Sequence, residues 1–382
     1  MSALPLFPVT TVGSWPRPAW LLEARRRGSP DLRALEDRAV EECLRDQEES
    51  GVDVVTDGEQ RRDNFYSFLC GRVDGMRLMT LAELLDYVED KSAFETLLRA
   101  LDVPAFSIKN PTVVGRLERR RGLVLEDVQF LRERTSRPIK ATLPGPYLLS
   151  RSAWVRGLSD GAYPTRDRLC EDIVRILREE LEDLAAAGVE MIQLDEPVLS
   201  EVVFAGKSAT RTFMCAALAA QASPESELAL AVDLVNRTFA GLRGPVRALH
   251  VCRGNWSTRE SVLLSGSYDA LLPSLSAMEV DQLVLEYATP RAGSLDALAR
   301  LAPTQAVGLG CVNPRTEEIE TSSAVVSRAR AAAAILGPRR VMLNPDCGFG
   351  TFADRPMASA EIAKGKLRAM AAAAAELRRA DE

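Results

Sequence analysis

The sequence predicts an α/β protein, a (β/α)8 TIM barrel with an inserted arm after the second strand. Three observations predict it. Short runs rich in Val, Leu and Ile recur along the 382 residues; Gly, Pro, Asp or Glu follows each; and a long amphipathic stretch comes next. Alternation of this kind favours a parallel sheet with helices outside it.

The runs, in order, are Val9–Ser14, Val52–Glu59, Thr112–Leu117, Ile139–Pro144, Val189–Asp195, Val246–Cys252, Gln282–Tyr287, Ala306–Val312 and Arg340–Cys347. That makes nine candidates for eight places. Thr112–Leu117 is the one left out, because it lies inside a charged interval of roughly 71–137 that reads as an inserted arm. Arg166–Ala187 spaces its apolar residues by three and four, as a helix does, and Gly188 is its stop. Met357–Ala380, rich in Ala, Lys, Arg and Glu, reads as a closing helix. No long internal repeat and no Gly/Ser or Pro-rich linker interrupts the chain, so residues 1–382 are expected to form a single elaborated barrel.

Hydrophobic residues make up 46% and charged ones 27%, which excludes collagen, coiled-coil and low-complexity chains. Lys plus Arg number 48 against 54 Asp plus Glu, so a net charge of -6 offers no basic field for nucleic acid. Neither a membrane span nor a signal peptide is visible, and a cytoplasmic location is expected. The 7 cysteines are odd in number and scattered, which argues against a disulfide scaffold and leaves thiols able to bind metal. Cys43, Cys70, Cys170 and Cys215 read as small buried hydrophobes, and Cys311 as a spare thiol near the barrel mouth.

In such a barrel the working residues project from the carboxyl ends of the strands. Four of them, His250, Cys252, Glu286 and Cys347, offer one imidazole, two thiolates and one carboxylate, and zinc accepts all three ligand types. His250 and Cys252 are two apart on one strand and share a face. The gaps of 34 residues to Glu286 and 61 more to Cys347 are unlike the paired knuckles of structural zinc modules. His250 is the only histidine, so any imidazole chemistry must use it. The bland alternatives are buried polar strand ends, a salt bridge from Glu286 to an arginine, and Cys347 as a core thiol. Zinc with two thiolates and a carboxylate would leave the site at about -1, poor for polarising an ester but suited to holding an electron-rich thiolate. Sulfur alkylation is the better match.

Glu59 and Asp195, with Ser14 and its backbone beside Gly13, form a second group able to bind the ammonium and carboxylate of an amino acid. Competing readings are a helix-terminal role for Asp195 and Glu196, and an ion pair of Glu59 with Arg61 or Arg62.

TTVGSWPRP at 10–18, TDGEQRRDNF at 56–65, LPGP at 143–146, IQLDEP at 192–197, HVCRGNW at 250–256, LVLEY at 283–287 and NPDCGF at 344–349 together resemble the catalytic domain of the cobalamin-independent methionine synthases. The order matches across nearly the whole chain. The resemblance implies a barrel with catalytic zinc held by His250, Cys252, Glu286 and Cys347, and homocysteine bound as the zinc thiolate. It also implies that Val12, Gly13 and Ser14 contact the amino-acid carboxylate while Glu59 and Asp195 hold the ammonium. Trp154 resembles the aromatic on which a folate ring rests, set about two residues farther from the LPGP turn. Full-length synthases carry an additional barrel that helps bind the polyglutamate tail of methyltetrahydrofolate. With TTVGS near its start, this chain is expected to be of the short single-barrel form, for which a methylcorrinoid protein is an alternative methyl donor.

The leading expectation is a zinc-dependent thiol methyltransferase of methionine biosynthesis that converts homocysteine to methionine. The rivals are an epoxide:coenzyme M type thiol alkyltransferase and a non-catalytic zinc- or corrinoid-binding module. The first rival needs a cationic clamp where Glu59 and Asp195 stand.

Overall fold

The computed structural model describes residues 4–87, 91–92, 109–204 and 223–380. Cys215 and part of the expected arm, 88–90 and 93–108, lie outside them. Six parallel strands stand side by side in chain order: β3 (Lys140–Pro144), β4 (Met191–Asp195), β5 (Val246–Val251), β6 (Gln282–Leu285), β7 (Ala306–Val312) and β8 (Val341–Pro345). Runs such as QLVL, MIQLD and VMLNP are buried at every position, as parallel strands covered on both faces must be.

The ring is closed by two short segments. Val9 bridges Leu343 of β8, Thr10 bridges Val54, and Val55 bridges Ile139 beside β3, all in parallel. Val9–Ser14 and Val52–Glu59, expected as full strands, thus contribute a residue or two of pairing each. Side chains take the backbone groups that would have extended the ladder. Asp53 Oδ2 accepts from Val9 N at 2.8 Å, Thr10 Oγ1 donates to Val54 O at 2.8 Å, and Gln47 bonds both the N and the O of Thr56.

Thr112–Leu117 lies in β2 (Lys109–Arg119), which pairs antiparallel with β1 (Val73–Thr80) as a two-stranded sheet apart from the ring. This hairpin docks on the barrel's outer layer. Tyr163 Oη accepts from Leu117 N at 2.7 Å, and Asn110 Nδ2 donates to Ser152 O at 2.8 Å.

The helices include α1 (Leu32–Glu49), α2 (Pro146–Ala153), α3 (Arg166–Ala186), α4 (Pro224–Phe239), α5 (Ser322–Leu336) and α6 (Ala360–Ala380). α3 buries Leu169, Ile173, Ile176, Leu177, Leu181 and Leu184 on one face, and Gly188 beyond its end takes the positive φ of 78° that an L side chain resists. α4 starts at Ser223, whose hydroxyl accepts from Ser226 N, with Pro224 in the first turn. α6 begins three residues later than the expected Met357.

Inside the ring, Val12, Val54, Met191, Ala248, Val284 and Met342 form an apolar plug. Two residues farther along the strands the inward positions turn polar, with Gln193, His250, Glu286 and Asn344 buried there. β7 supplies glycines at this level, because a Cβ on Gly310 would collide with the Asp346 carboxylate. The barrel is therefore greasy at one end and chemically dense at the other.

Candidate metal centre and substrate pocket

His250 lies near the end of β5, Cys252 just past it and Cys347 two residues past β8. One ligand atom from each lies within 4.8 Å of the others. His250 Nδ1 sits 3.2 Å from Val284 O. A carbonyl can only accept, so the neutral ring keeps its proton on Nδ1 and leaves the Nε2 lone pair free. Nε2 is buried and has no hydrogen-bond partner. An orphaned imidazole nitrogen facing two thiols is the donor set zinc takes, so the residues fit that ion.

Without an ion, the electrostatics favour the protonated forms of both groups. Burial alone would lower His250, but the Cys252 thiol, with Asp195 and Glu286 behind it, outweighs burial and lifts it to about 9. A hydrogen bond with Cys347, burial and the Cys347 charge raise Cys252 well above an ordinary thiol. A divalent cation here would reverse both tendencies, favouring thiolate and neutral imidazole.

Glu286, expected with these three, is not in the group. Its carboxylate accepts from Asn255 Nδ2 and lies 3.4 Å from Arg253 Nη1 and 3.3 Å from Arg291 Nη2. This is the arginine pairing left open in the sequence, and it holds Glu286 ionised. Burial pushes its carboxyl up, and Arg291, Arg253 and Asn255 bring it below the usual carboxylate range. Cys311 is buried, its Sγ 3.5 Å from Asn344 O, and it does not line the pocket. Cys43 and Cys170 are buried as expected, whereas Cys70 is half-buried beside a cleft lined by Arg25 and Arg72.

Val12, Ser14, Glu59 and Asp195 line the same cavity as His250, Cys252 and Cys347. Glu59 Oε1 accepts from Thr142 Oγ1 at 3.2 Å, and its Oε2 is buried without a partner. Arg61 is taken by Asp37 and Asp127, and Arg62 stands 3.8 Å from Glu59. Gly13 makes room for this acid, since a Cβ there would lie 2.6 Å from Glu59 Oε1. Asp195 receives Gln193 Nε2 at 2.8 Å. Burial, helped by Glu59 and opposed by His250, Gln193 and Lys140, raises Asp195 to about 6. The adjacent Glu196 does something different, accepting from Tyr147 N and Leu148 N at 2.7 and 2.8 Å, the first turn of α2. Of this acidic pair, Asp195 faces the cavity and Glu196 caps a helix.

Trp154 does not line this cavity. It caps α2 and its Nε1 donates to Tyr163 O at 3.1 Å. The apolar wall is built instead by Phe65, Trp256 and Phe352, which sequence reasoning missed, as it missed Asn255 and Thr351. The signal was present: Phe65 ends TDGEQRRDNF, Asn255 and Trp256 end HVCRGNW, and Thr351 and Phe352 follow Cys347 closely. Gly254 has a φ of 83°, and a Cβ on it would enter the Trp256 ring, which explains the glycine inside that motif.

Fold and rim together define an α/β-barrel enzyme with a thiol-rich, imidazole-containing site. Residues 7–376 match the family described as cobalamin-independent synthase, catalytic domain, and the chain belongs to that family. It is 26% identical over 356 residues to the methionine synthase of Saccharolobus solfataricus, covering 91% of this chain and 90% of that one. Its identity to the methionine synthase of Sulfolobus acidocaldarius is 26% over 351 residues, covering 90% and 86%. Among solved structures, a B12-independent methionine synthase from Shewanella sp. W3-18-1, in complex with selenomethionine, has a TM-score of 0.75 at 24% identity and covers 98% of each chain. A methyltransferase from Methanosarcina mazei has a TM-score of 0.52 at 18% identity, covering 97% and 94%. At such identities the structural likenesses speak for the fold. The chain is an enzyme of the methyltransferase class. No described helix is long and apolar enough to cross a membrane.

Proposed function

We propose that this enzyme methylates the thiol of homocysteine to form methionine, with zinc at the site of His250, Cys252 and Cys347. The observation that carries this reading is the meeting of a metal-type donor set and an amino-acid-type cradle in one pocket. When bound, zinc would stabilise an incoming thiol as its thiolate at neutral pH, the form that attacks an alkyl carbon. Three protein ligands leave a place open, as catalytic rather than structural zinc sites do. Glu286 would be a fourth ligand only after leaving Arg253 and Arg291.

The protein's own groups do the rest. Glu59 Oε2 and Asp195 accept the substrate ammonium; the Ser14 turn, with Val12 and Gly13, receives its carboxylate. Phe65, Trp256 and Phe352 keep water from the sulfur and offer a surface to the methyl donor. The described lining residues include no lysine or arginine, so a sulfonate-bearing thiol has no cationic clamp. That favours homocysteine over coenzyme M. The described cysteines are free, which suits a reducing, cytoplasmic setting. A methyltetrahydrofolate and a methylcorrinoid protein both remain in the proposal as donors.

The test is direct. Zinc-loaded protein is incubated with homocysteine and, in parallel, with methyltetrahydrofolate, its polyglutamate and methylcobalamin, and methionine is measured by mass spectrometry. Methionine from at least one donor is expected. None from any donor, by protein that carries a full complement of zinc, overturns the proposal.

A further inference from the structure

Lys140 is completely buried on β3, inside the ring and beneath the pocket. Interior layers of such barrels are normally filled by branched apolar side chains, and a buried ammonium costs stability. None of the chemistry above uses it. Its Nζ donates to Thr11 O and, at 3.2 Å, to Gln193 Oε1. The amide of Gln193 passes the connection on in two directions. Gln193 Nε2 donates to Asp195 Oδ1 at 2.8 Å and to Val12 O at 3.1 Å.

These four bonds join two parts of the rim that are far apart in sequence. Thr11 and Val12 lead directly into the Ser14 turn, the carboxylate side of the cradle. Asp195 is its ammonium side. The ammonium and carboxylate of any α-amino acid are separated by a single carbon, so a pocket that reads both must hold its own two halves at one fixed distance. Nothing in the backbone ladder does this, because the first segment reaches the ring through isolated bridges, and its neighbours in the ring are β8 and the Val54 segment rather than β4. The link across the barrel is made by the two side chains.

We propose that Lys140 and Gln193 are positioning residues that set the spacing between the Ser14 turn and Asp195, and thereby make the pocket selective for thiols bearing an α-amino-acid group. This rests on the reading of the cradle under Proposed function. It adds the specificity determinant, which lies one layer below any group that touches substrate.

Lys140→Met keeps the chain length and removes every donor; Gln193→Glu keeps an acceptor for Lys140 and replaces the donor to Asp195 and Val12 by a second acceptor. Both are compared with the native enzyme, zinc-loaded, in two measurements. The first is calorimetric binding of methionine, which needs no turnover. The second is the ratio of kcat/KM for homocysteine to that for 2-mercaptoethanol, a thiol lacking both charged groups. Methionine binding and the ratio are each expected to fall about tenfold or more, the scale of one or two lost hydrogen bonds to charged groups. Zinc content and 2-mercaptoethanol turnover should stay within about twofold of native. Equal losses toward both thiols would assign the pair a merely structural role and overturn the inference, as would unchanged methionine binding in both variants. A native enzyme that binds methionine and prefers homocysteine while the variants keep that preference defeats this inference alone. A native enzyme that neither binds methionine nor methylates homocysteine defeats the functional reading and this inference with it.

Discussion

Glu59, which lines the pocket, holds a left-handed backbone, φ 54°, and its Oε2 is buried without a hydrogen-bond partner. Non-glycine residues adopt that region rarely, and such strain gathers at functional sites. Its position depends on the empty space over Gly13, so Gly13→Ala should displace the carboxylate. The KM for homocysteine is expected to rise about tenfold with zinc content unchanged, the effect of one disturbed charged hydrogen bond. At the metal the order of effects should follow the observed grouping. Cys347→Ser should bring zinc, read by plasma emission, from about one per chain to near zero, and abolish turnover. Glu286→Gln should retain more metal than Cys347→Ser and lose more stability, about 3 kcal/mol in urea unfolding, because two buried guanidiniums lose their counter-ion. Equal zinc loss in the two variants would make Glu286 a full ligand. The meeting of His250, Cys252 and Cys347 was legible in the sequence because metal-type side chains sit at strand ends and only one histidine was available. The partner of Glu286 was not, since Arg253 and Arg291 come from loops whose path no periodicity encodes.

At the scale of elements, three rim loops are tied by one buried guanidinium. Arg17 Nη1 donates to Gly350 O and, at 3.2 Å, to Trp15 O; Nη2 donates to Glu59 O at 2.7 Å and Arg62 O at 3.1 Å. These are the loops that carry Ser14, Glu59 and the turn after Cys347. Arg17→Met removes these four hydrogen bonds, with Trp15 O, Glu59 O and Arg62 O keeping donors in Gln60 Nε2, Arg62 N and Arg25 Nη1, and should cost about 2–4 kcal/mol by thermal or urea unfolding. Activity toward homocysteine should drop much further than zinc content. Loss of zinc in step with activity would instead mean that the clamp supports the metal ligands. The six later strands could be read from runs rich in Val, Leu and Ile followed by turn residues, and α3 from its spacing. The first two ring segments were overread as strands, because a run of Val and Thr does not reveal that Asp53, Thr10 and Gln47 will occupy its backbone groups. The interval 71–137 was read as an inserted arm by its charge, while the antiparallel register of β1–β2 within it needed coordinates.

For the molecule as a whole, the buried Lys140 links stability to pH. Burial brings its pKa down to about 7, with Asp195 and Glu59 opposing. An unfolded lysine keeps its proton to much higher pH, so above about 7 the unfolded chain binds more protons than the folded one, and stability from this group rises with pH. Below that, both states are protonated and the full cost of burial is paid. Lys140→Met should therefore be more stable than native by a few kcal/mol in mildly acidic buffer, with the gap closing toward about pH 10. Urea midpoints across that range check it; a gap independent of pH would mean that the buried lysine keeps its proton to as high a pH as the unfolded one does. The closure of the ring has a different consequence. Between β3 and β8 each stave is stitched to the next by a ladder, but the first two are basted on by isolated bridges. Breathing of the cylinder should start at that seam, where amide exchange would be fastest among the staves. It is also where Ser14 and Glu59 are mounted, whereas His250 rides on a fully laddered strand and Cys252 directly follows it. On the proposed function, the jaw that grips and frees the amino acid can thus loosen while most of the anvil beneath the sulfur stays still.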